Sequence, residues 1–461
     1  MRNELNPVLL PDSYKVPHHL MYPEDTQNLY GYYEARSDKV FKETMVFGLN
    51  FILNKLARPI TLPQILMMRE FYKMHFGNKD YFNFEMYEYI IEKYRGKLPL
   101  MIRAIPEGTL VRTGNALLDC YSLDSKCYPL VTGAETCISQ AWYPFTVATI
   151  SFNAKRIIKK YLEATSDSIV GLEWMLHDFG QRGVSSDESA AIGGAAHLVN
   201  FRGTDNTMAL MALMEEYAYH AMPGDSVAAT EHSIMTCRGL DKEYDVVQDI
   251  SNKFKDCILS QVLDSTNIYE TAAKAVTDPV ILDRSGLFVL RLDSGKPAEV
   301  SKEVLDIIAD KAGYTINSKG YKVINPKFKI LWGDGLDLDL IESTLKSLEE
   351  AKYSVSNFAT LGMGGGLLQK CNRDTMSFAY KVSARGTSEG LIEVYKDPIH
   401  GGKTSKKGIL KTVIDQRNGN FMTVKDSELD TREDMKIIVF EAGYVNSPSF
   451  DTIREAANSN L

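Results

Sequence analysis

The chain has 461 residues, of which 44% are hydrophobic and 24% are charged, a balance typical of folded globular proteins and not of disordered or fibrous ones. Its formal net charge of −8 argues against broad nucleic-acid binding, which requires a basic surface. At this length two domains are expected, with one large domain as the alternative.

Membrane, secretory and zinc-binding features are not expected. No stretch approaches the roughly 18 uninterrupted apolar residues of a membrane span, and residues 1–7 lack the apolar core of a signal peptide. The six cysteines show no CxxC spacing, and the eight histidines do not cluster near them. We therefore expect reduced, mostly buried thiols in a cytoplasmic protein without a zinc site.

The first segment, residues 1–135, is rich in Tyr, Phe and Met and is expected to be α+β. Residues 98–121 are typical of short strands, with turns at 106–108 and 113–115. Residues 61–95 are expected to be helical, with one apolar face at a period of 3.6. That face would carry Leu66, Met67, Phe71, Met74 and His75.

From residue 136 to 379, helical stretches alternate with short apolar strands, each followed by a polar, acidic or glycine-rich cluster. The clusters are marked by His177, Asp205, Glu231, Asp264, Asp293, Asp334 and Gly364. Their spacings of 26 to 41 residues match one strand–loop–helix unit each. The longest interval contains a further turn at 317–320, which predicts an inserted hairpin.

Seven such units predict an α/β fold, either a βα barrel or an open parallel sheet, with the functional residues at the carboxyl ends of the strands. We assign residues 136–379 to a βα-barrel-like domain. Residues 380–461 return to strands and would pack with 1–135 as a mixed α+β domain built from both terminal segments. Turn and N-cap roles explain any single cluster, but not seven that also carry Arg and His.

Several clusters suit a phosphorylated sugar diphosphate. Gly364 and Gly365, with the helix expected to begin at Leu367, would bring amide groups close to an anion. Asp264, Asp293 and Asp334 at three strand ends would hold Mg²⁺ through water and grip a ribose diol.

Three further features point to an activated histidine, a diphosphate and an aromatic amide. Arg291 beside Asp293 supplies a cation for the diphosphate, and Glu231 next to His232 suits an activated histidine. Phe179 and Arg182 would stack on and hydrogen-bond a planar amide. The residues alone therefore indicate a sugar-diphosphate substrate and an aromatic partner.

Along nearly its whole length the chain resembles the nicotinamide phosphoribosyltransferases, which are type II phosphoribosyltransferases. The resemblance rests on the motifs at residues 12–23, 177–186, 200–205, 231–233, 291–295, 333–335 and 364–370. It implies that the enzyme transfers the phosphoribosyl group of phosphoribosyl pyrophosphate to nicotinamide, with Mg²⁺ as cofactor and ATP as co-substrate. It also implies a homodimer with active sites shared between the chains, and no nucleic-acid or membrane partner.

The resemblance assigns roles to individual residues. Nicotinamide would lie between Phe179 of one subunit and Tyr14 of the other. Arg182 would donate a hydrogen bond to the carboxamide oxygen, and Asp205 would accept one from the NH₂ group. His232 would be phosphorylated from ATP, supported by Glu231. The ribose would contact Asp293 and Gly333. The 5′-phosphate would contact Gly364, Gly365, Arg373 and Lys381. The pyrophosphate and Mg²⁺ would lie near Arg36, Asp264, Arg291 and Lys396.

The chain departs from the family pattern at three positions: Ala379 and Met363 stand where relatives have serine, and Thr230 where they have alanine. These departures bear on phosphate affinity. Two other functions were considered: nicotinate phosphoribosyltransferase, and a non-catalytic binding protein on the same fold. Asp205 opposes the first because it would face the carboxylate of nicotinate. Retention of Arg291, Asp293 and His232 opposes the second.

Overall fold

The computed structural model describes residues 4–399, 404–427 and 430–461. The chain forms two compact units. Unit 1 comprises residues 1–149, 215–219 and 372–460, and unit 2 comprises 150–214, 220–371 and Leu461. These bounds differ from the segments expected from the sequence at 135/136 and 379/380. The first boundary falls inside a long helix, where no change of composition marks it.

In chain order the strands are β1 (Asn28–Glu34), β2 (Glu43–Met45), β3 (Leu100–Ala104), β4 (Leu110–Arg112), β5 (Ala116–Ser122), β6 (Leu176–Asp178), β7 (Gly203–Thr204), β8 (Ala228–Ala229), β9 (Leu259–Val262), β10 (Phe288–Leu292), β11 (Tyr314–Ile316), β12 (Lys322–Ile324), β13 (Phe328–Trp332), β14 (Phe358–Met363), β15 (Ala379–Thr387), β16 (Gly390–Glu393), β17 (Leu410–Ile414), β18 (Phe421–Lys425), β19 (Ile437–Glu441) and β20 (Tyr444–Val445).

The helices are α1 (Asn50–Leu56), α2 (Leu62–His75), α3 (Phe84–Tyr94), α4 (Leu130–Gly133), α5 (Glu135–Ser139), α6 (Trp142–Thr165), α7 (Asp187–Leu198), α8 (Thr207–Glu216), α9 (His232–Met235), α10 (Glu243–Lys253), α11 (Ile268–Ala275), α12 (Pro279–Leu282), α13 (Pro297–Ala312), α14 (Leu338–Glu350), α15 (Gly365–Leu368) and α16 (Phe450–Asn458). Among the described residues, none of these helices combines the length and apolar character needed to cross a membrane.

Unit 2 is built on a parallel sheet in the order β7-β6-β14-β13-β10-β9-β8. The strands of this sheet pair in chain order from β8 to β14, β14 pairs with β6 and β6 with β7, so that β7 and β8 are the two edge strands. A parallel bridge between Gly203 and Asp225 links the edge strand β7 to the segment that leads into the other edge strand, β8. The barrel-like α/β fold is therefore confirmed, and the seven predicted clusters follow its seven strands.

The helices of unit 2 have the capping and periodicity expected of helices that cover a parallel sheet. Asp337 caps α14 by accepting a hydrogen bond from the Leu340 amide at 3.0 Å. The buried face of α14 consists of Ile341, Thr344, Leu345 and Leu348, a spacing of three and four residues. The predicted inserted hairpin is confirmed as β11 and β12, whose residues pair antiparallel.

Unit 1 contains an antiparallel sheet in the order β16-β15-β1-β5-β3-β19-β20. Strands from the N-terminal segment (β1, β3 and β5) and from the C-terminal segment (β15, β16, β19 and β20) share this sheet, so the mixed α+β domain built from both termini is confirmed. A buried ion network reinforces it: Asp119 accepts from Arg103 at 2.7 Å and lies 2.9 Å from Lys436. These buried charges are paired, as burial requires.

Three local details differ from expectation. Residues 61–95 are helical as predicted, in the two helices α2 and α3, but Leu66, Phe71 and Met74 are exposed, because α2 buries Ile65, Met68 and Tyr72 instead. The thiols are free but not mostly buried, since Cys237 and Cys257 are exposed. The C-terminal segment also ends in a helix, α16, which was not expected.

Candidate active site

Phe179 forms an aromatic platform at the carboxyl ends of the unit 2 strands. It follows β6, and its amide donates to the Met363 carbonyl of β14 at 3.1 Å. Its ring lies against Gly362, where a Cβ would be 2.2 Å from a ring carbon. The Arg291 guanidinium carbon lies 5.3 Å from the ring centroid. The Phe179 ring is thus fixed by the backbone hydrogen bond to Met363, by the lack of a side chain at Gly362 and by the nearby Arg291 cation.

Asp205 follows β7 and accepts two hydrogen bonds. His177 Nε2 lies 2.9 Å and Ser226 Oγ lies 2.5 Å from the same oxygen, Oδ1. Partial burial raises the pKa of Asp205, but the bond from His177, the bond from Ser226 and the charge of Arg291 outweigh it and leave the pKa below its usual value. The group is therefore an ionised, acceptor-only carboxylate, and its side chain is half exposed.

Asp178 and Asn206 hold the ends of β6 and β7 together. The buried Asp178 carboxylate accepts from the Gly180 amide at 2.7 Å and from Asn206 Nδ2 at 3.0 Å. Burial raises the pKa of Asp178 to about 6 in spite of these bonds. Neither Asn206 nor Ser226 was expected at the site, since no spacing or motif in the sequence singles them out.

Arg182 lies on a one-turn 3₁₀ helix, Gln181–Gly183, and is exposed. The same loop is tied to α8, because Gln181 Oε1 accepts from the Thr207 amide at 2.8 Å. Among the described residues Arg182 has no hydrogen-bond partner, so its guanidinium is available to a ligand.

Arg291 and Asp293 form the next group. Arg291 lies in β10, and its guanidinium nitrogens are 3.3–3.5 Å from the Asp293 carboxylate. Gly333, directly after β13, permits this arrangement, because a Cβ there would lie 2.3 Å from Asp293 Oδ1 and 2.8 Å from Arg291 Nε. Asp334 is exposed, and its carbonyl accepts from Trp332 Nε1 at 2.7 Å.

His232 begins α9, and its Nε2 lies 2.9 Å from Asp264 Oδ1 at the end of β9. The other oxygen, Asp264 Oδ2, is buried and has no hydrogen-bond partner among the residues that the structure describes. Glu231 accepts a short hydrogen bond from Ser233. Thr230 has a structural role, since its Oγ1 accepts from the Val262 amide of β9 at 3.0 Å.

The glycine cluster after β14 differs from the expectation in one respect. Helix α15 begins at Gly365, not at Leu367, and ends at Leu368 after one turn. A Cβ on Gly366 would lie 2.2 Å from the Leu336 carbonyl, so the loop fits closely against its neighbour. The first residues of this turn have no intrahelical acceptor for their amides, but one turn provides little helix dipole.

Unit 1 carries the remaining predicted residues. A cavity of about 550 Å³ is lined by four cations, Arg36, Arg373, Lys381 and Lys396, which outnumber its two carboxylates, Glu135 and Asp374; Ala379 also lines it. Burial, and then the charges of Arg36, Lys15 and Arg373, lower the pKa of Lys381 against the opposing effect of Glu135. Tyr14 lies apart from this lining and is 60% exposed. Ala379 itself offers no hydroxyl to the cavity, where a serine would provide one.

The structure therefore brings the predicted residues into two groups, one in each unit. Unit 2 holds the aromatic platform, the carboxylates and His232, and unit 1 holds the cation-lined cavity and Tyr14. Among the described residues, no three His, Cys, Asp or Glu side chains are arranged to hold a metal ion.

Comparisons with known proteins show which family the chain resembles. Residues 174–428 match the nicotinate phosphoribosyltransferase (NAPRTase) family, and residues 6–102 match the nicotinamide phosphoribosyltransferase N-terminal domain. The chain is 38% identical over 450 residues to a nicotinamide phosphoribosyltransferase of Xanthomonas campestris pv. campestris (strain 8004), with 95% of each chain covered. It is 29% identical over 504 residues to one of Acinetobacter baylyi, covering 100% of this chain and 99% of that one.

Two solved structures share the fold at 14% identity. Nicotinate-nucleotide pyrophosphorylase from Pyrococcus furiosus gives a TM-score of 0.65 and covers 100% of this chain and 96% of that one. Human nicotinic acid phosphoribosyltransferase gives 0.56, with 98% and 93% covered. Because the sequence relatives span almost the full length, the chain belongs to the nicotinamide phosphoribosyltransferase family of enzymes.

Proposed function

We propose that the protein transfers the phosphoribosyl group of phosphoribosyl pyrophosphate to nicotinamide, giving nicotinamide mononucleotide and pyrophosphate for NAD salvage. The observation that carries the choice of base is the ionised Asp205 carboxylate, which is hydrogen-bonded to His177, whose ring centroid lies 5.0 Å from that of Phe179. A carboxylate accepts from the NH₂ of an amide, whereas it repels the carboxylate of nicotinate.

Nicotinamide would stack on Phe179, with Tyr14 of a second subunit on its other face. Aromatic rings prefer offset stacking, which leaves the edge of the base free for hydrogen bonds. Arg182 would donate to the amide oxygen, and Asp205 would accept from the amide nitrogen. The unpartnered, exposed state of Arg182 supports this role.

In the reaction, the bond between ribose C1 and the pyrophosphate oxygen breaks, and its electron pair leaves with pyrophosphate. The ring nitrogen of nicotinamide then donates its lone pair to C1. The protein positions the two partners and neutralises the leaving group. Asp293, Gly333 and Asp334 would contact the ribose, and Arg291, Arg36 and Lys396 the pyrophosphate. The 5′-phosphate would bind at Gly364, Gly365, Arg373 and Lys381.

We propose Mg²⁺ as the cofactor, held by Asp264 and Asp293 through water. The residues fit such an ion, because Asp264 Oδ2 is a buried oxygen without a partner. Mg²⁺ in phosphate-transferring sites is often bound by one or two carboxylates plus substrate phosphates. When bound, it would neutralise charge on the diphosphate.

We also propose that ATP phosphorylates His232. When Nε2 donates to Asp264, the lone pair lies on Nδ1, which would attack the γ-phosphorus of ATP while ADP departs. Water would later cleave the phosphohistidine. The added negative charge next to the substrate site would couple this cycle to product formation, with Glu231 supporting the histidine.

The active enzyme is proposed to be a homodimer with shared sites. The side chain of Tyr14 is 60% exposed, which leaves its ring available to a second chain and supports this proposal. In such a dimer the cation-lined cavity and Tyr14 of one chain would complete the unit 2 site of the other.

The test is to incubate the purified protein with phosphoribosyl pyrophosphate and Mg²⁺, with either base, with and without ATP, and to quantify mononucleotide. We expect product from nicotinamide and stimulation by ATP. Asp293→Ala should abolish the product, whereas Asp310→Ala, which removes an exposed carboxylate, should not. Product from nicotinate alone would assign the protein to the other base, and product from neither would indicate a binding protein.

A further inference from the structure

The Asp205 carboxylate presents two unequal oxygens. Oδ1 accepts from both His177 Nε2, at 2.9 Å, and Ser226 Oγ, at 2.5 Å. The hydrogen bonds of the described residues leave Oδ2 without such a partner. Because an ionised carboxylate only accepts hydrogen bonds, both neighbours must be donors, and Oδ2 is the oxygen left for a ligand.

The surroundings of His177 fix its ring next to Asp205. Its side chain is 10% exposed, and it lies opposite Gly203 in the β6–β7 pairing. A Cβ on Gly203 would be 2.9 Å from His177 Nδ1, so this glycine makes room for the ring. The Asp205 backbone is also fixed, since its amide donates to the Asp178 carbonyl at 3.1 Å.

Both donors favour the charged form of Asp205. Hydrogen bonds to a charged group are stronger than neutral ones, and they are lost or weakened when the carboxylate takes up a proton. A protonated Asp205 could share its proton with the carboxylate of nicotinate, and the discrimination between the bases would then fall. Discrimination against nicotinate therefore requires that Asp205 stays charged and repels the carboxylate of that base.

We propose that His177 and Ser226 are specificity-determining positioning residues, which hold Asp205 ionised with one oxygen facing the base and so exclude nicotinate. This inference rests on the proposed function, because it assumes that Asp205 contacts the amide. Neither residue contacts the base in this arrangement, and both act through Asp205.

The experiment measures kcat/KM for nicotinamide and for nicotinate in wild type, Ser226→Ala and His177→Leu. We expect the ratio of the two values to fall about tenfold in each variant, the factor that corresponds to one hydrogen bond to a charged group. Ser226→Thr and His177→Gln, which retain a donor, should restore most of the ratio. Ser343→Ala, at an exposed serine of α14, is the matched control.

The outcomes separate the two levels of the proposal. If both bases lose activity in parallel and the ratio stays at the wild-type value, the residues are merely structural and the inference fails. If wild type uses neither base, the proposed function itself fails. Should His177→Leu not fold, the exposed Ser226 still decides the question.

Discussion

At the scale of single residues, the proposed base selection depends on the Asp205 carboxylate, which His177 and Ser226 hold through hydrogen bonds. Asp205→Asn removes that charge but keeps an amide oxygen that can accept from nicotinamide. We expect the ratio of kcat/KM for nicotinamide to that for nicotinate to fall roughly tenfold or more, because the like-charge clash disappears. Steady-state kinetics with both bases measures the ratio. A variant that excludes nicotinate as strongly as wild type would show that another residue discriminates.

His232 carries the proposed coupling to ATP. In His232→Ala, ATP should no longer increase the yield of mononucleotide, and acid-labile label from γ-labelled ATP should not attach to the protein. Slow ATP-independent transfer should continue, since the groups that position the substrates are intact. His220→Ala, at an exposed histidine of the same unit, is the control. Undiminished labelling of His232→Ala would identify a different acceptor.

The sequence predicts the residues at strand ends better than the residues that orient them. Phe179, Asp205 and Asp293 directly follow a strand, and Asp264 lies two residues after one, where a parallel sheet collects functional groups. Ser226 lies in the loop before β8 and resembles any loop serine. Its importance comes from its 2.5 Å contact with Asp205, which depends on how the chain returns to the sheet.

At the scale of elements, the strand–loop–helix period predicted the seven parallel strands because each unit repeats the same local chemistry. The helices were less predictable in detail. An apolar face such as that of Leu66, Phe71 and Met74 can be drawn at a period of 3.6, yet α2 buries its other side. Where a helix has two apolar faces, tertiary packing decides which of them is buried, and the periodicity of the sequence cannot show this.

Glu107 gives the elements of unit 1 a dependence on pH. It lies in the predicted turn at 106–108, is buried, and accepts from the Gly48 amide, the Leu49 amide and the Tyr217 hydroxyl at 2.5–2.8 Å. Burial, despite these bonds, raises the pKa of Glu107 to about 7 from an ordinary 4.5. The pKa of Glu107 is therefore higher in the folded chain than in the unfolded chain, so protonation of this carboxyl stabilises the fold. That contribution to the free energy of unfolding is complete below pH 4.5 and is lost as pH rises through 7.

Glu107→Gln keeps the accepting oxygen and cannot ionise. Relative to this variant, wild type should therefore lose stability between pH 5 and pH 8, by up to about 3 kcal/mol at 1.36 kcal/mol per pH unit. At about 2–4 °C per kcal/mol, the difference between the two melting temperatures should change by several degrees. Calorimetry at both pH values measures it. A difference that stays constant with pH would mean that Glu107 is already ionised in the fold.

At the scale of the whole molecule, the two terminal segments share one sheet, as expected for a mixed α+β domain built from both. The short segment 215–219 was not anticipated in unit 1. It belongs there because Tyr217 bonds Glu107 and stacks on Phe47 at 5.4 Å. Such pairings join positions more than a hundred residues apart, and no local pattern encodes them.

The proposed sharing of sites between two chains can be tested by complementation. Tyr14→Ala and His232→Ala homodimers should each lack normal ATP-coupled activity, because both of their sites are damaged. In a mixed dimer both lesions fall in one site and the other is intact. Random pairing makes about half of the dimers mixed, so co-expression should restore roughly a quarter of wild-type activity. Tagged pull-down verifies that the chains have exchanged. If the exchanged mixture is no more active than its parents, each site comes from a single chain and the shared-site dimer is wrong.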